Sequence, residues 1–295
     1  MQKWKALPRL GFGLGISVNH KGGIIVADIL NQRGGIKLDY LEIYAGVRPI
    51  PVDALRQLHA WQDAGQQFTF HTASLDLWNL DSPDESGVAP TRAVEDFLQP
   101  HWCNQDLMLT RMQGLREGVL LTGVFSEEAA LGFARRYRDV SKKLSTPLLI
   151  ENAPYRLVLG DLDFGRFFSL FGEAADCGLT LDLGHLYSTS LLMRKSIDQL
   201  LKDYPLDRVV EIHIAGGYVD PESGLYVDNH DLDITSDVRE LLRQLIGICP
   251  ALKGVTYEVQ DPDPDQLLNN ISSVIETIDG WRYQTGCRAP LEMPG

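Results

Sequence analysis

The chain has 295 residues, 44% of them hydrophobic, and a formal net charge of −13. That length exceeds a minimal domain and suits one large barrel whose core needs no covalent staples. The acidic balance argues against general binding to a nucleic-acid backbone, and the four scattered cysteines (Cys103, Cys177, Cys249 and Cys287), with no Cys-x-x-Cys pair, argue against a disulfide framework or a thiolate zinc site.

Short apolar runs bounded by turn residues predict strands at 11–16, 40–44, 68–71, 103–107, 148–151, 180–182, 209–214 and 255–259. In the first of these, Gly11, Gly13 and Gly15 lack the complete phosphate-loop pattern, so a turn or tight strand packing explains them better. A helical stretch at 52–64 places His59 on the surface, and His101 follows Pro100 without a clear role. The polar, Pro- and Gly-containing stretch 80–90 reads as a loop. Ser126 opens a helix: Glu127 and Glu128 fill its first turn, and Ala130, Phe133, Ala134 and Tyr137 form its apolar face. The stretch 219–233 reads as a long loop after a strand, and helical patterns return at 237–248 and 264–278.

Strands alternating with helices imply parallel pairing, and eight strand candidates predict a (β/α)8 TIM barrel. Residues 1–281 are expected to form this single domain and 282–295, which lack periodicity, a flexible tail. The opening residues carry no signal-peptide core, and no apolar run has membrane-spanning length. The expectation is a soluble cytoplasmic protein with neither nucleic acid nor membrane as partner.

The chemistry lies where the strands end. Among seven histidines, His71 ends one strand and His213 lies in another, while Glu151, Asp182 and Glu258 end three more. His185 follows Asp182 by three residues, and Asp228-Asn-His230 sits in the long loop. One strand-end acid or histidine is usually structural, and Asp-x-His in a loop is usually a solvated turn. Six such cases in one order are not independent. In a parallel barrel these strand ends meet at one mouth. Crowded, partly buried carboxylates repel and are driven towards their protonated forms unless cations lie among them. A mixed histidine and carboxylate set suits iron, manganese or zinc, and it exceeds what one ion needs, so two or three ions are expected.

These residues resemble those of the xylose-isomerase-like TIM-barrel superfamily, which includes trinuclear-zinc endonucleases and sugar isomerases. They are more similar to the multinuclear non-haem iron-dependent oxidases, the methanobactin-synthase-like family. The resemblance runs from about residue 11 to 278. It rests on Gly13-Leu-Gly-Ile-Ser-Val-Asn-His20, His71-Thr-Ala-Ser-Leu75, Glu127-Glu-Ala-Ala followed by Leu148-Leu-Ile-Glu-Asn-Ala-Pro154, Leu181-Asp-Leu-Gly-His-Leu-Tyr187, His213-Ile-Ala-Gly216 and Asp228-Asn-His230. The chain is a divergent member by this reading. Asp106 stands where the family has a histidine ligand, and His185 where it usually has asparagine. Glu42-Ile-Tyr-Ala-Gly46 replaces a Glu-Asn pair, and Gly217 a histidine.

The resemblance implies three sites. His71, Asp106 and Glu151 would hold the first ion. Glu151, Asp182, His213 and Glu258 would hold the second, with Glu151 bridging. His185, Asp228 and His230 would hold the third. Glu151, Asp182 and His213 are the expected catalytic core. The implied cofactor is iron (Fe2+/Fe3+) with O2 as co-substrate, zinc or manganese being the alternative. The implied substrate is a ribosomally made precursor peptide containing cysteine, or a small thiol, presented by a small partner protein. The implied reaction removes hydrogen from carbon next to a substrate sulfur. A zinc- or manganese-dependent hydrolase or sugar isomerase is the second reading, and His185 favours it. A barrel that has lost its activity and binds a partner is the third.

Overall fold

The computed structural model describes residues 3–18, 21–33, 38–45, 50–75, 77, 85–108 and 122–283. Eight parallel strands hydrogen-bond edge to edge until the last closes on the first. They are β1 (Gly11–Ser17), β2 (Tyr40–Ala45), β3 (Gln67–Thr72), β4 (Cys103–Asp106), β6 (Leu148–Glu151), β8 (Leu179–Asp182), β9 (Val209–Ala215) and β12 (Gly254–Val259). The order around the barrel is β1-β12-β9-β8-β6-β4-β3-β2. Every predicted strand is present, and the TIM barrel expected from the alternation is the architecture. The helices between the strands are α1 (Lys21–Arg33), α2 (Val52–Asp63), α3 (Glu85–Leu98), α4 (Glu127–Ser141), α5 (Phe164–Ala175), α6 (Leu183–Met193), α7 (Ile197–Leu201), α8 (Ser236–Leu245) and α9 (Pro264–Tyr283).

Side chains alternate across each strand. Phe12, Leu14 and Ile16, Leu41 and Ile43, Leu148 and Ile150, and Val255, Tyr257 and Val259 are buried in the main apolar core with residues of the surrounding helices. The alternate positions fill the barrel in three tiers. At the floor, Trp4, Leu7 and Leu10 pack against Tyr40, Trp102 and Leu149. The middle tier is polar: Glu42, Thr69, Asn104, Thr180, Glu211 and Thr256 are all 0% exposed. Two residues further along the strands come the residues of the mouth. The register sets Asp106 beside Glu151, and Asp182 beside His213.

The narrow first strand follows from its glycines. A Cβ on Gly13 would enter the ring of Tyr40, and one on Gly15 would lie 3.0 Å from Cγ of Glu258. Close packing, the reading preferred from the sequence, is their role.

Three segments differ from expectation. Residues 85–90 are not loop but the start of α3. Val88, Thr91, Val94 and Leu98 are buried at helical spacing, while Pro90 faces solvent. The apolar stripe outweighs the local breakers; residues 80–84 lie outside the described set. The long segment 219–233 contains part of a hairpin, β10 (Gly217–Val219) paired antiparallel with β11 (Tyr226–Asp228). A second small sheet pairs β5 (Thr122–Phe125) with β7 (Leu157–Gly160). The last helix runs to Tyr283; residues 284–295 and His20 are outside the described set. Among the described residues, no helix is long and apolar enough to cross a membrane.

Candidate metal centre

A cavity of about 240 Å³ opens at the C-terminal end of the barrel. His71, Asp106, Glu151, His185, Asp228, His230 and Glu258 line it, together with Ser17, Tyr44, Met108 and Gln260. Asp182 and His213 lie below them, fully buried. All nine residues singled out from the sequence therefore gather in one place. His59 is exposed on α2 against Phe97, and neither it nor His101 lines the cavity.

Glu151 is the hub. Its Oε2 accepts from His71 Nε2 at 3.0 Å and lies 3.2 Å from His213 Nδ1. Its Oε1 lies 3.5 Å from His185 Nδ1 and makes no hydrogen bond. Asp106 Oδ2 approaches His71 Nε2 at 3.7 Å, so His71, Asp106 and Glu151 form one group with ligand atoms within 4.8 Å of one another. The four residues expected around a second ion divide between two separate groups, each sharing one residue with the first. Asp182 joins Glu151 and His185, while His213 and Glu258 join His71. His185 Nε2 and His230 Nε2 both approach Asp228 Oδ2, at 3.2 and 3.1 Å.

Local folding explains these positions. Asp182 ends β8 and is the N-cap of α6, its Oδ1 accepting from the His185 backbone N–H at 2.6 Å. The cap dictates the spacing Asp-x-x-His. His185 Nδ1–H donates to the Asn152 carbonyl at 2.8 Å, which leaves Nε2 free to face Asp228. The Asn152 side chain holds β6 to β8: its Nδ2 donates to the Asp182 carbonyl, and its Oδ1 accepts from the Asp182 N–H, both at 2.9 Å. The hairpin register, Gly217 opposite Asp228, sets the third acid over the mouth.

The charges are poorly balanced by protein alone. Burial pushes Asp182 up to about 8, with Asp228 and Glu151 adding repulsion against the attraction of His185. Burial, reinforced by Glu151, pushes Asp106 up to about 6. Burial opposes charge on His71, yet the Glu151 hydrogen bond and the charges of Glu151 and Asp106 carry it up to about 10. Burial likewise opposes charge on His185 and His213, and surrounding carboxylates outweigh it and raise both. The crowded carboxylates thus favour the protonated forms of these groups unless cations lie among them.

The donor set fits divalent ions. Asp106 Oδ1, Glu151 Oε1, Asp182 Oδ2, His213 Nδ1 and Asp228 Oδ1 are buried and make no hydrogen bond. Buried acceptors without partners are costly. Four carboxylate oxygens and one imidazole nitrogen around one cavity are what oxygen- and nitrogen-bound cations would satisfy.

The sequence pattern of the family described as "RiPP precursor modification enzyme MbnB/TglH/ChrH" matches residues 11–278. The chain belongs to this family. A UPF0276 protein of Shewanella sediminis is 32% identical over 156 residues, 52% of this chain and 55% of its own length. One of Shewanella loihica is 30% identical, over 51% and 54% respectively. The match thus spans about half of each Shewanella protein. A UPF0276 protein of Caulobacter vibrioides is 24% identical across 95% of this chain and 97% of its own.

Solved structures extend the likeness of fold. Endonuclease IV from Thermus thermophilus aligns with a TM-score of 0.53 and 19% identity, over 92% of this chain and all of its own. A xylose isomerase domain containing protein from Salmonella typhimurium aligns at 0.59 and 11% identity, over 91% and 98%. The IolI protein with a binding zinc atom aligns at 0.58 and 11% identity, over 92% and 98%.

In this MbnB/TglH/ChrH family member, sequence reasoning assigned no role to Glu42, Asn104, Asn152 or Glu211. Asn104 and Glu211 each precede a predicted site residue by two positions, Asp106 and His213. Period-two alternation, applied downwards from the strand ends, would have placed both inside the barrel.

Proposed function

We propose that this chain is an O2-dependent multinuclear non-haem iron oxidase that modifies a cysteine-containing, ribosomally made peptide or a related thiol. The observation that carries the reading is the ring of buried, unpartnered acceptors around Glu151, in a chain of the MbnB/TglH/ChrH family. His71, Asp106 and Glu151 would hold one ion. Glu151, Asp182, His213 and Glu258 would hold a second, and His185, Asp228 and His230 a third. When bound, ferrous iron supplies reducing electrons for O2 and a coordination position for a substrate thiolate.

The chain's own part is positioning. Glu151 turns Oε1 towards His185 and Oε2 towards His71 and His213, so it would hold ions bound by either set of residues near one another. Tyr44 stands at the rim beside His71, ring centroids 5.3 Å apart. Burial, with Asp106 and Glu258, pushes its phenol up to about 12, so it stays a neutral donor that can hydrogen-bond a bound substrate. A precursor peptide reaches this mouth on its own or is presented by a small recruiting protein.

The test is purification without oxygen, elemental analysis, and O2 uptake by the Fe(II)-loaded protein with cysteine-containing peptides encoded nearby. About two to three equivalents of iron and peptide-dependent O2 uptake support the proposal. Iron-loaded protein that consumes no O2 with any such peptide overturns it.

A zinc- or manganese-dependent hydrolase or sugar isomerase is the second reading. His185 favours it by offering nitrogen where the family usually has an amide. The zinc in the IolI protein shows that a neighbour of this fold holds that metal. Colourless, zinc-loaded protein would select this reading.

A further inference from the structure

Both ring nitrogens of His213 face carboxylates, and the polar tier beneath the mouth determines which nitrogen is protonated. Nδ1 points to the mouth, 3.2 Å from Glu151 Oε2 and 3.7 Å from Glu258 Oε1. Nε2 points into the barrel, 3.3 Å from Glu42 Oε1 and 3.5 Å from Glu211 Oε2. Two groups could therefore share this histidine with a cation: His71, His213 and Glu258 above, or Glu42, Glu211 and His213 below.

The lower group is spent. Glu211 Oε1 accepts from the hydroxyls of Tyr40 at 2.9 Å and Thr256 at 2.5 Å. Its Oε2 accepts from Trp102 Nε1 at 2.5 Å and Asn104 Nδ2 at 2.7 Å. Each carboxylate oxygen has two lone pairs, so these donors saturate Glu211. Asn104 is held in one orientation because its Oδ1 accepts from Thr180 Oγ1 at 2.7 Å. Its two amide protons go to Glu42 Oε2 and Glu211 Oε2, so none remains for His213 Nε2 at 3.3 Å. Glu42 Oε2 also accepts from Thr69 Oγ1. One acceptor is left: Glu42 Oε1, buried, 3.3 Å from Nε2 and making no other hydrogen bond.

We infer that Glu42 is a positioning residue: it accepts the Nε2–H of His213 and so fixes the tautomer that offers Nδ1 to a cation at the mouth. The arrangement repeats in another form what the Asn152 carbonyl does for His185. It accounts for two unpartnered buried atoms together, Glu42 Oε1 by the imidazole proton and His213 Nδ1 by the ion. The inference rests on the metal centre proposed above but not on iron, oxygen or any substrate. A partner of this kind behind a ligating imidazole commonly affects metal affinity by about 10–100-fold.

The experiment uses the full chain and Zn2+ alone, a diamagnetic probe. Imidazole 15N NMR of the zinc-loaded protein is expected to show His213 protonated at Nε2 and metal-bound at Nδ1. Competition with a chromophoric chelator is expected to show zinc binding weakened about 10-fold in Glu42→Gln, whose amide oxygen can still accept, and about 100-fold in Glu42→Leu. Glu42→Gln is close in shape, so it keeps the test valid if Glu42→Leu does not fold. A spectrum with zinc on Nε2 overturns the inference and moves the ion to the lower group. Unchanged zinc affinity in both variants, with normal binding by the wild-type chain, overturns it while leaving the metal centre intact. A wild-type chain that binds neither zinc, iron nor manganese overturns both.

Discussion

Asp182 Oδ1 accepts the backbone N–H of His185 at 2.6 Å, while Asp182 Oδ2 makes no hydrogen bond. One oxygen starts a helix and the other faces the cavity. The two roles separate on substitution. Asp182→Asn retains a good capping oxygen, and asparagine caps as well as aspartate. It also removes a carboxyl that burial has pushed up to about 8. The metal-free variant at pH 8 is expected to match or exceed the wild-type stability, to within about 1 kcal/mol, yet to hold less metal. Denaturant unfolding and elemental analysis on the same preparation check both halves.

Glu151 divides its oxygens between His71 and His213 on one side and His185 on the other. Its loss is expected to empty more than one site. Glu151→Ala should lose at least two metal equivalents where His230→Ala, at the rim, loses one. A loss of a single equivalent in both would contradict the bridging role.

The pH dependence has a definite sign. A histidine raised to about 10, as His71 is once Glu151 and Asp106 overcome its burial, stabilises the metal-free fold fully below its ordinary value. That contribution disappears as pH climbs towards about 10. An acid raised by burial to about 8, as Asp182 is, costs nothing while protonated and destabilises increasingly from near pH 4 up to about 8. Both effects weaken the metal-free fold as pH rises. Bound ions replace the protons, so metal binding releases protons and strengthens with pH. The difference in Tm between loaded and metal-free protein should widen from about pH 6 to about pH 9. A constant difference across that range would show that these groups do not face the ions.

Asp106 sits 3.7 Å from His71 Nε2 and would place an anionic donor beside an ion held there. In the iron-loaded protein Asp106→His should preserve metal content and raise the reduction potential, because a neutral donor replaces an anion. Asp106→Ala should lose an ion. Redox titration followed by elemental analysis distinguishes these outcomes.

Gly13 belongs to the fold and not to the chemistry. Gly13→Ala sets a methyl into the ring of Tyr40, whose hydroxyl bonds Glu211 at 2.9 Å. Overpacking of this kind costs about 1–3 kcal/mol. Thermal unfolding of the variant should show the loss even without metal.

The sequence by itself determined the eight barrel strands, because each is a short apolar run cut off by turn residues. It also placed six acids and histidines at or near the ends of those strands, His71, Asp106, Glu151, Asp182, His213 and Glu258, and these meet at one end of the barrel. Local pattern suffices there, since parallel strands deliver their ends to one place whatever lies between. It misjudged 85–90, where buried Val88 and Thr91 outweigh Pro90, and it missed the hairpin that sets Asp228 over His185. Only the tertiary structure decided how the ligand atoms group and where the protons go. Glu42, Asn104 and Glu211 come from three strands, β2, β4 and β9, and meet around Thr180, Thr256 and His213 inside the barrel. Hydrogen-bond saturation is a property of that meeting. No single segment carries it, because each acceptor's lone pairs are filled by donors distant in the chain.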